Sequence, residues 1–326
     1  MTIPTITALP AAPSRTSPST FAAVGDTFVA ALPGMVTEIN AFSTAINATG
    51  YLTMVRRAIS VADTAIASDS GKHLVCTGAF TLSASASATL GNGWWCYVSN
   101  SGTGNITIDP NAAETVDGQT TGILYPGFVM LLQCNGSALF ATKVAGSRTE
   151  VLTSGTSWVC PMGVRAVNGR GCGAGGGGGR GSSGNQVYGG SAGGYAEWYF
   201  SSAPGTAYSF VIGAGGSAGA SNGSAGSNGT GSSFNTGVLT VDMFGGTGGA
   251  NSAAAGGTSG GVSINGALNI QGGSAILNSV SVGGNTPFGV GGAQFAPASG
   301  YGSGGYGSST GQPADPGRQG VIILEY

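Results

Sequence analysis

Charge is scarce along this chain. Asp, Glu, Lys and Arg make up 7 % of its 326 residues, where a soluble domain usually carries about 25 %, and the formal net charge is −2. Without a field of one sign, nothing draws in a phosphate backbone, and nucleic acid is not expected as a partner. Disorder of the whole chain is not expected either. It requires low hydrophobicity with high net charge, whereas this chain is 41 % hydrophobic with a mean hydropathy of +0.21.

Histidine is nearly absent: His73 stands alone, so no His-based metal cluster can form. Beside Lys72 and Asp69, in what reads as a turn, it is expected to be a solvated surface residue. The only lysines, Lys72 and Lys143, do not follow glycines in the phosphate-loop pattern. The five cysteines, Cys76, Cys96, Cys134, Cys160 and Cys172, include no C-x-x-C pair and are expected as buried free thiols, which suits folding in a reducing cytoplasm. No apolar run of about 18 residues is present, so a membrane span is not expected. The N-terminus also lacks the basic and apolar regions of a secretory signal.

What the chain has is glycine, and it has it in one place. Of 64 glycines, 50 fall in residues 151–326. Ordering each costs roughly 0.5–1 kcal/mol more than alanine, or on the order of 25–50 kcal/mol together. Two outcomes are physically reasonable: the segment stays disordered, or its backbones pack so closely that no Cβ fits between them. β-prone stretches (VLTSGTSWVCPMGV, GGYAEWYF, PGTAYSFVIGAGG, GVLTVDMFGG and the terminal GVIILEY) alternate with the glycine runs, which argues that the two textures fold together. Polyproline-II helices have three residues per turn and no internal hydrogen bonds. With glycine at the contacts, they can lie side by side and bond one another. A collagen helix needs glycine at every third position, which Gly175 to Gly179 and the irregular spacing after it do not provide.

The chain reads in three parts, at 1–50, 51–147 and 148–326. Pro4, Pro10, Pro13 and Pro18 favour an extended arm. Ser19 or Thr20 can then cap a helix whose apolar positions Phe21, Phe28, Leu32, Met35, Ile39, Phe42 and Ile46 follow a heptad seam. Pro33 should kink or break it, and Gly50 can end it. Such a seam suits a short parallel bundle in an oligomer or a single helix docked on its own chain. From Tyr51 to Ser147, short alternating runs read as an antiparallel β module, with turns at Asn100-Ser-Gly, Asp117-Gly118 and Asn135-Gly136. In that module one of Trp94 and Trp95 faces inward and the other outward.

Chemistry-bearing patterns do not close. Gly171-Cys172-Gly173-Ala174-Gly175-Gly176 satisfies G-x-G-x-x-G, but more Gly, Ser and Asn follow where a dinucleotide site needs a helix. Residues 151–326 hold Glu197, Asp242, Asp315 and Glu325 against Arg165, Arg170, Arg180 and Arg318. A pair of carboxylates could cleave a glycan, and strand-end ion pairs account for them equally well. No catalytic residue, cofactor or metal is assigned, and the chain is read as a binding protein rather than an enzyme.

Three stretches resemble bacteriophage tail fibre proteins. TITALPAAPSRTSPSTFAAVGDTFVAALPGMVTEIN, with its Pro-Ser-Arg, Pro-Ser-x-Phe and Ala-Leu-Pro elements, is similar to a virion-attachment segment of such fibres. DSGKHLVCTGAFTLSASASATLGNGWWCYVSNSGTGNITIDPNAAETVDG through LYPGFVMLLQCNGS resembles a small β module found repeatedly in them. TSGTSWVCPMGV, GAGGGGG, GGYAEWYF, PGTAYSFVIGAGG and GVIILEY resemble the glycine-rich adhesin domain of fibre tips, in which polyglycine II helices stack in a sandwich. The stretch GVSINGALNIQGGSAILNSVSVGGN departs from that pattern by carrying many β-prone residues.

The resemblance implies a mainly β protein made of an N-terminal extended arm and short helix, a possible coiled coil, then a β-sandwich-like spacer and a C-terminal glycine-rich domain with strands and stacked polyglycine II helices. It implies a chain made in the host cytoplasm and located in the virion; the heptad segment followed by a β spacer suits the shaft of a homotrimer, with a monomeric tip carried on another fibre as the alternative. Its N-terminus would attach to other tail or baseplate proteins, and its tip loops would bind an outer-membrane protein or polysaccharide of the bacterial surface. A purely structural virion component is the alternative. Receptor contacts would fall in 185–188, 251–255, 276–278 and 295–301, with Asn185, Tyr188, Asn251, Asn278, Phe295 and Tyr301 as the individual candidates. The same aromatics could instead cover the glycine sandwich.

Overall fold

The computed structural model describes residues 7–12, 16, 18–48, 54–182, 186–252, 259–275, 281–294, 296–309 and 312–326. It contains two compact units, Met1–Gly146 and Ser147–Tyr326.

In the first unit a helix, α1 (Phe21–Ala48), begins directly after Thr20, whose carbonyl accepts from the Val24 amide at 3.0 Å. The helix runs uninterrupted through Pro33 rather than breaking there. A proline ring removes one backbone donor; one turn on, the Thr37 hydroxyl donates to the Pro33 carbonyl at 3.0 Å. Gly50, the expected stop, lies outside the described residues. Along the heptad seam Phe28, Leu32, Met35, Phe42 and Ile46 are half-buried, Phe21 and Ile39 are exposed, and no described side chain of α1 is buried. By length and composition Phe21–Ile46 would suffice to cross a membrane, so the lack of an 18-residue apolar run does not carry the exclusion drawn from it. Alanine and threonine interrupt an apolar run at little cost in hydropathy.

The arm folds back on this helix. The Thr7 amide and hydroxyl donate to the two Glu38 carboxylate oxygens, each at 2.7 Å, and hold that carboxyl below its ordinary value, hydroxyl first and amide second. A lowered folded-state value means the contact is present above the ordinary carboxylate range and is lost as pH falls through the lowered one. Acidification is therefore expected to release Thr7, seen as a fall in the protection of its amide relative to the free-chain exchange rate at the same pH. An amide still protected at about pH 2 would refute the link.

The rest of the unit is a two-layer β module. Its strands are β1 (Arg56–Ile59), β2 (Asp63–Ala65), β3 (His73–Cys76), β4 (Thr81–Ala84), β5 (Asn92–Asn100), β6 (Ile106–Asp109), β7 (Gly122–Leu124), β8 (Val129–Asn135) and β9 (Leu139–Ala145), with a one-turn helix α2 (Ser87–Leu90) before β5. They form two sheets, ordered β1-β3-β5-β8-β9 and β2-β4-β6-β7. Here the expected antiparallel pairing fails for half the module: β1, β3 and β5 are mutually parallel, and so are β2, β4 and β6. Parallel neighbours need a crossover, and each crossover is a strand of the other sheet. The chain winds as a coil before β7, β8 and β9 close it with antiparallel pairs.

The Asn100-Ser-Gly turn therefore passes between sheets. Buried Asn100 anchors it by donating to the carbonyls of Gly104 (2.7 Å) and Leu124 (2.9 Å). Asp117-Gly118 and Asn135-Gly136 do make tight turns, with positive φ at Asp117, Gly118 and Gly136. Trp94 is buried, with its indole N–H on the Ile66 carbonyl at 3.1 Å, while Trp95 packs edge-on against Tyr97 on the outer side.

His73 is not in a turn. It opens β3, half-buried, with Nε2 2.8 Å from the Ser99 hydroxyl, and burial first and Arg56 second lower its pKa. All five cysteines are free and buried. Burial raises Cys76 to about 11 and Cys172 to about 12.

The second unit contains β10 (Thr149–Leu152), β11 (Ser157–Val159), β12 (Ala166–Cys172), β13 (Tyr195–Ser201), β14 (Ala207–Val211), β15 (Ser232–Asn235), β16 (Thr240–Met243), β17 (Ser263–Ile264), β18 (Leu268–Ile270) and β19 (Val321–Glu325). Two antiparallel sheets result, β10-β19-β12-β13-β18 and β11-β14-β15-β16-β17. The terminal VIILE segment is thus an interior strand, between β10 and β12. The inward-facing residues of each strand meet in an aromatic core, with Trp198 against Phe234 (5.6 Å between ring centres), and Phe200 against Tyr208 (5.1 Å) and Phe234 (5.4 Å). Gly169 leaves room for this core, since a Cβ there would run into the Trp198 indole.

Candidate functional site

The glycine runs grow out of the ends of these strands. Residues 173–181 continue β12, and their backbone hydrogen bonds repeat every three residues. The amides of Gly173, Gly176 and Gly179 donate to the carbonyls of Gly194, Ser191 and Tyr188; those of Ala174, Gly177 and Arg180 to Thr230, Ser227 and Ser224; those of Gly175 and Gly178 to Arg318 and Asp315. The carbonyls of the same run accept from three further runs: Gly216 and Gly219 donate to Gly175 and Gly178, Gly246 and Gly249 to Ala174 and Gly177, Gly305 and Ser308 to Gly176 and Gly179. All of these bonds measure 2.7–3.1 Å.

One strand-like run is thus surrounded by six, three antiparallel ones that accept its amides and three parallel ones that donate to its carbonyls. A repeat of three with no bond inside the run is the polyproline-II geometry. None of Gly173 to Gly179 adopts the left-handed conformation. The requirement for glycine is steric. A Cβ on Gly175, Gly176, Gly177 or Gly178 would fall well inside 3.0 Å of the backbone carbonyl of Ser303, Thr247, Ser217 or Tyr306 respectively.

This arrangement gives the unit a sheet end and a far end. Outgoing runs leave the strands at β12, β14 and β16, and returning runs enter β13, β15 and β19, so the loops between them gather beyond Arg180. Those loops are fastened by backbone and side-chain bonds. Arg180 exchanges backbone bonds with the 223–224 turn, its guanidinium donates to the Ala220 carbonyl at 3.3 Å, and the Asn251 amide donates to the Gly223 carbonyl. The Ser281 hydroxyl donates to the Val187 carbonyl.

The structure brings together two of the residues expected to make contacts. Tyr188 and Asn251, both half-buried, lie at this far end, where the Tyr188 amide donates to the Ala250 carbonyl at 3.0 Å. Tyr301 does not join them. It lies at the sheet end, packed with Phe288 against Cys172, Tyr195 and Val321, so it covers the sandwich. Asn185, Asn278 and Phe295 lie outside the described residues.

Beside the far end lies a hollow of about 260 Å³, bordered by Tyr306, Gln312, Pro313 and Asp315 together with Ala293, Gln294, Ala296 and Pro297. Ala296 and Pro297 fall in the 295–301 stretch expected to carry contacts and Asp315 reads only as one of four carboxylates, whereas Gln294, Tyr306, Gln312 and Pro313 are not singled out by the sequence. They come from three separate segments, and the only local signal is the proline pair in QPADP, which fixes the turn leading to Asp315.

Two of the carboxylates that could have formed a hydrolytic pair, Glu197 and Asp242, are set apart. Glu197 lies on β13 beside inward-facing Trp198, and Asp242 on β16 beside inward-facing Met243, so alternation puts them on opposite outer faces of the sandwich. Glu197 accepts from the Tyr195 hydroxyl at 2.6 Å; burial first and this bond second push Tyr195 up. Glu325 pairs with Arg170 at 2.8 Å. Among the described residues no three His, Cys, Asp or Glu side chains are grouped to hold a metal.

Residues 150–326 match the glycine-rich domain family. The chain belongs to that family. No curated protein matches the chain. For this glycine-rich domain the match begins at β10 and ends with β19, so it takes in both sheets and every glycine run of the second unit.

Proposed function

We propose that this chain is a bacteriophage tail fibre protein that recognises a receptor on the bacterial surface through the far-end loops of its glycine-rich domain. The observation that carries this reading is the division of labour in the second unit. Strands and glycine runs bond one another throughout, while the described loop residues beyond Arg180 belong to no strand and place their side chains outside that bonded framework. Tyr188 and Asn251 are the described candidates for contact. Aromatic and amide side chains give contact area and adaptable hydrogen bonds at low entropic cost. The arm and α1 would attach to the virion, with the β module as spacer. The seam of Phe21, Phe28, Leu32, Met35, Ile39, Phe42 and Ile46, half-covered or exposed along α1, would close against two further copies in a homotrimer. Three copies would multiply a weak contact through effective concentration.

The test uses the full chain, fluorescently labelled, on bacterial strains with and without surface polysaccharide. Selective labelling is expected, reduced about ten-fold or more by Tyr188→Ala combined with Asn251→Ala, since truncating a central contact residue of an interface costs over about 1 kcal/mol per copy. Absence of labelling on every strain, with the protein fully occupied on particles, would overturn the reading in favour of a purely structural virion component. Sedimentation is expected to show a trimer that Leu32→Asp dissociates. A monomer at all concentrations would remove the shaft from the proposal.

A further inference from the structure

The hollow beside the far end is built on backbone that cannot easily move. Asp315 donates its amide to the Tyr306 carbonyl and accepts from Gly178 of the central run, both at 2.9 Å. Ala293 and Ala296 exchange two backbone bonds, 2.8 and 2.9 Å, which holds Gln294 at the tip of a tight turn. Gly292, directly before that turn, lies so close to Tyr306 that a Cβ would clash with its amide. The walls are thus preorganised, as a binding site requires.

Its chemistry is mixed in a specific way. Tyr306, Pro297 and Pro313 supply apolar surface, Gln294 and Gln312 supply two amides, and Asp315 supplies a carboxylate. Neither glutamine makes a hydrogen bond among the described residues, so both keep donor and acceptor capacity. The Asp315 carboxylate accepts from the Ala298 amide and sits near Arg318, which leaves further lone pairs free. Among the described residues no Lys, Arg or His lines the hollow. At about 260 Å³ it is below the usual drug-sized range of roughly 300–1,000 Å³. An anion would meet the Asp315 carboxylate with no cation in the lining itself, and a purely apolar ligand would cover three polar groups without replacing their hydrogen bonds.

We propose that this hollow binds one neutral sugar ring of a cell-surface glycan, with the ring's C–H face on Tyr306 and the prolines and its hydroxyls bonded to Gln294, Gln312 and Asp315. The bacterial source of the glycan rests on the fibre reading above, while the chemistry of the hollow does not. A hexose of about twelve non-hydrogen atoms at a modest ligand efficiency binds with a dissociation constant on the order of 1 mM. That is a useful strength only when several copies act together.

The experiment titrates the full chain with free glucose, galactose and N-acetylglucosamine, with galacturonate as the charged comparison, followed by saturation-transfer NMR and calorimetry. At least one neutral sugar is expected to saturate, with galacturonate weaker by about five-fold or more. Gln312→Ala and Asp315→Asn are each expected to weaken it about five-fold, the loss of one hydrogen bond. Gln312 is exposed, so its truncation reports on binding without touching the packed backbone, and an unchanged unfolding midpoint checks this. Saturation by none of the neutral sugars, or binding indifferent to both substitutions, overturns the proposal. Cells labelled without any sugar binding would end this inference and leave the fibre reading intact. Sugar binding without cell labelling would do the reverse.

Discussion

Gly177→Ala is expected to unfold the glycine-rich domain or to cost it at least about 4 kcal/mol, although it adds a single methyl group. The added carbon would enter the Ser217 carbonyl, a backbone group that no rotamer change can clear. Relief requires the 213–219 run to move away, which breaks the bonds from Gly216 to Gly175 and from Gly219 to Gly178. Each buried carbonyl so orphaned costs roughly 1–3 kcal/mol. Gly223→Ala is the matched comparison: its φ is +83° but nothing lies within 4 Å of the added carbon, so the cost should be about 1 kcal/mol, that of left-handed backbone alone. Chemical denaturation of both variants measures the difference. A Gly177→Ala protein within about 1 kcal/mol of the parent would mean that the runs are not packed as described.

The second large effect belongs to the β module. Asp69 is 1 % exposed and accepts from Arg57 at 2.5 Å, from Lys72 at 3.2 Å and from the Ile66 amide at 3.1 Å. Replacing it by alanine leaves two partly buried cations and one amide without their shared acceptor, and Asp63 remains to Arg57 alone. Removing one partner of a buried ion pair costs about 3–5 kcal/mol. Because the Ile66 carbonyl also receives the Trp94 indole, the damage should spread into the adjoining strands. Peptide-resolved hydrogen exchange is expected to show lost protection in β3 and β5 of Asp69→Ala, with the glycine-rich domain unchanged. Unaltered exchange in β3 would refute the role assigned to this cluster.

How much of this was legible in the sequence differs between the two units. Alternation in TLSA, ITID and VMLLQCN marks strands and their buried faces correctly, because facing depends on each strand alone. It does not specify partners. That is why the runs holding β3 and β5 read as parts of an antiparallel module when they are parallel rungs of a coil. In the glycine-rich domain the density of glycine left disorder or close backbones as the two outcomes, and the interleaved strands argued for the second. Which run lies at the centre was not legible, since the bonding of Gly175 to Gly179 depends on residues up to about 140 positions away. The split of the contact candidates has the same origin: Tyr188 and Tyr301 look alike as loop aromatics, and only the direction of their runs sends one to the far end and the other to the sheet.

The threefold repeat of the central run also constrains how its gene can change length. Gly175 to Gly179 are chemically identical, so nothing within the tract distinguishes one from the next; its phase is set by Cys172 at the end of β12 and by Arg180 at the other end. Inserting or deleting one or two codons would rotate everything beyond by a third or two thirds of a turn. Arg180 would then point its side chain into a neighbouring backbone, and each amide would be passed to the wrong partner. A change of three codons restores every direction and alters only the reach of the run. In this tract an indel of three is a conservative mutation and an indel of one is a disruptive one, even though both add or remove nothing but glycine.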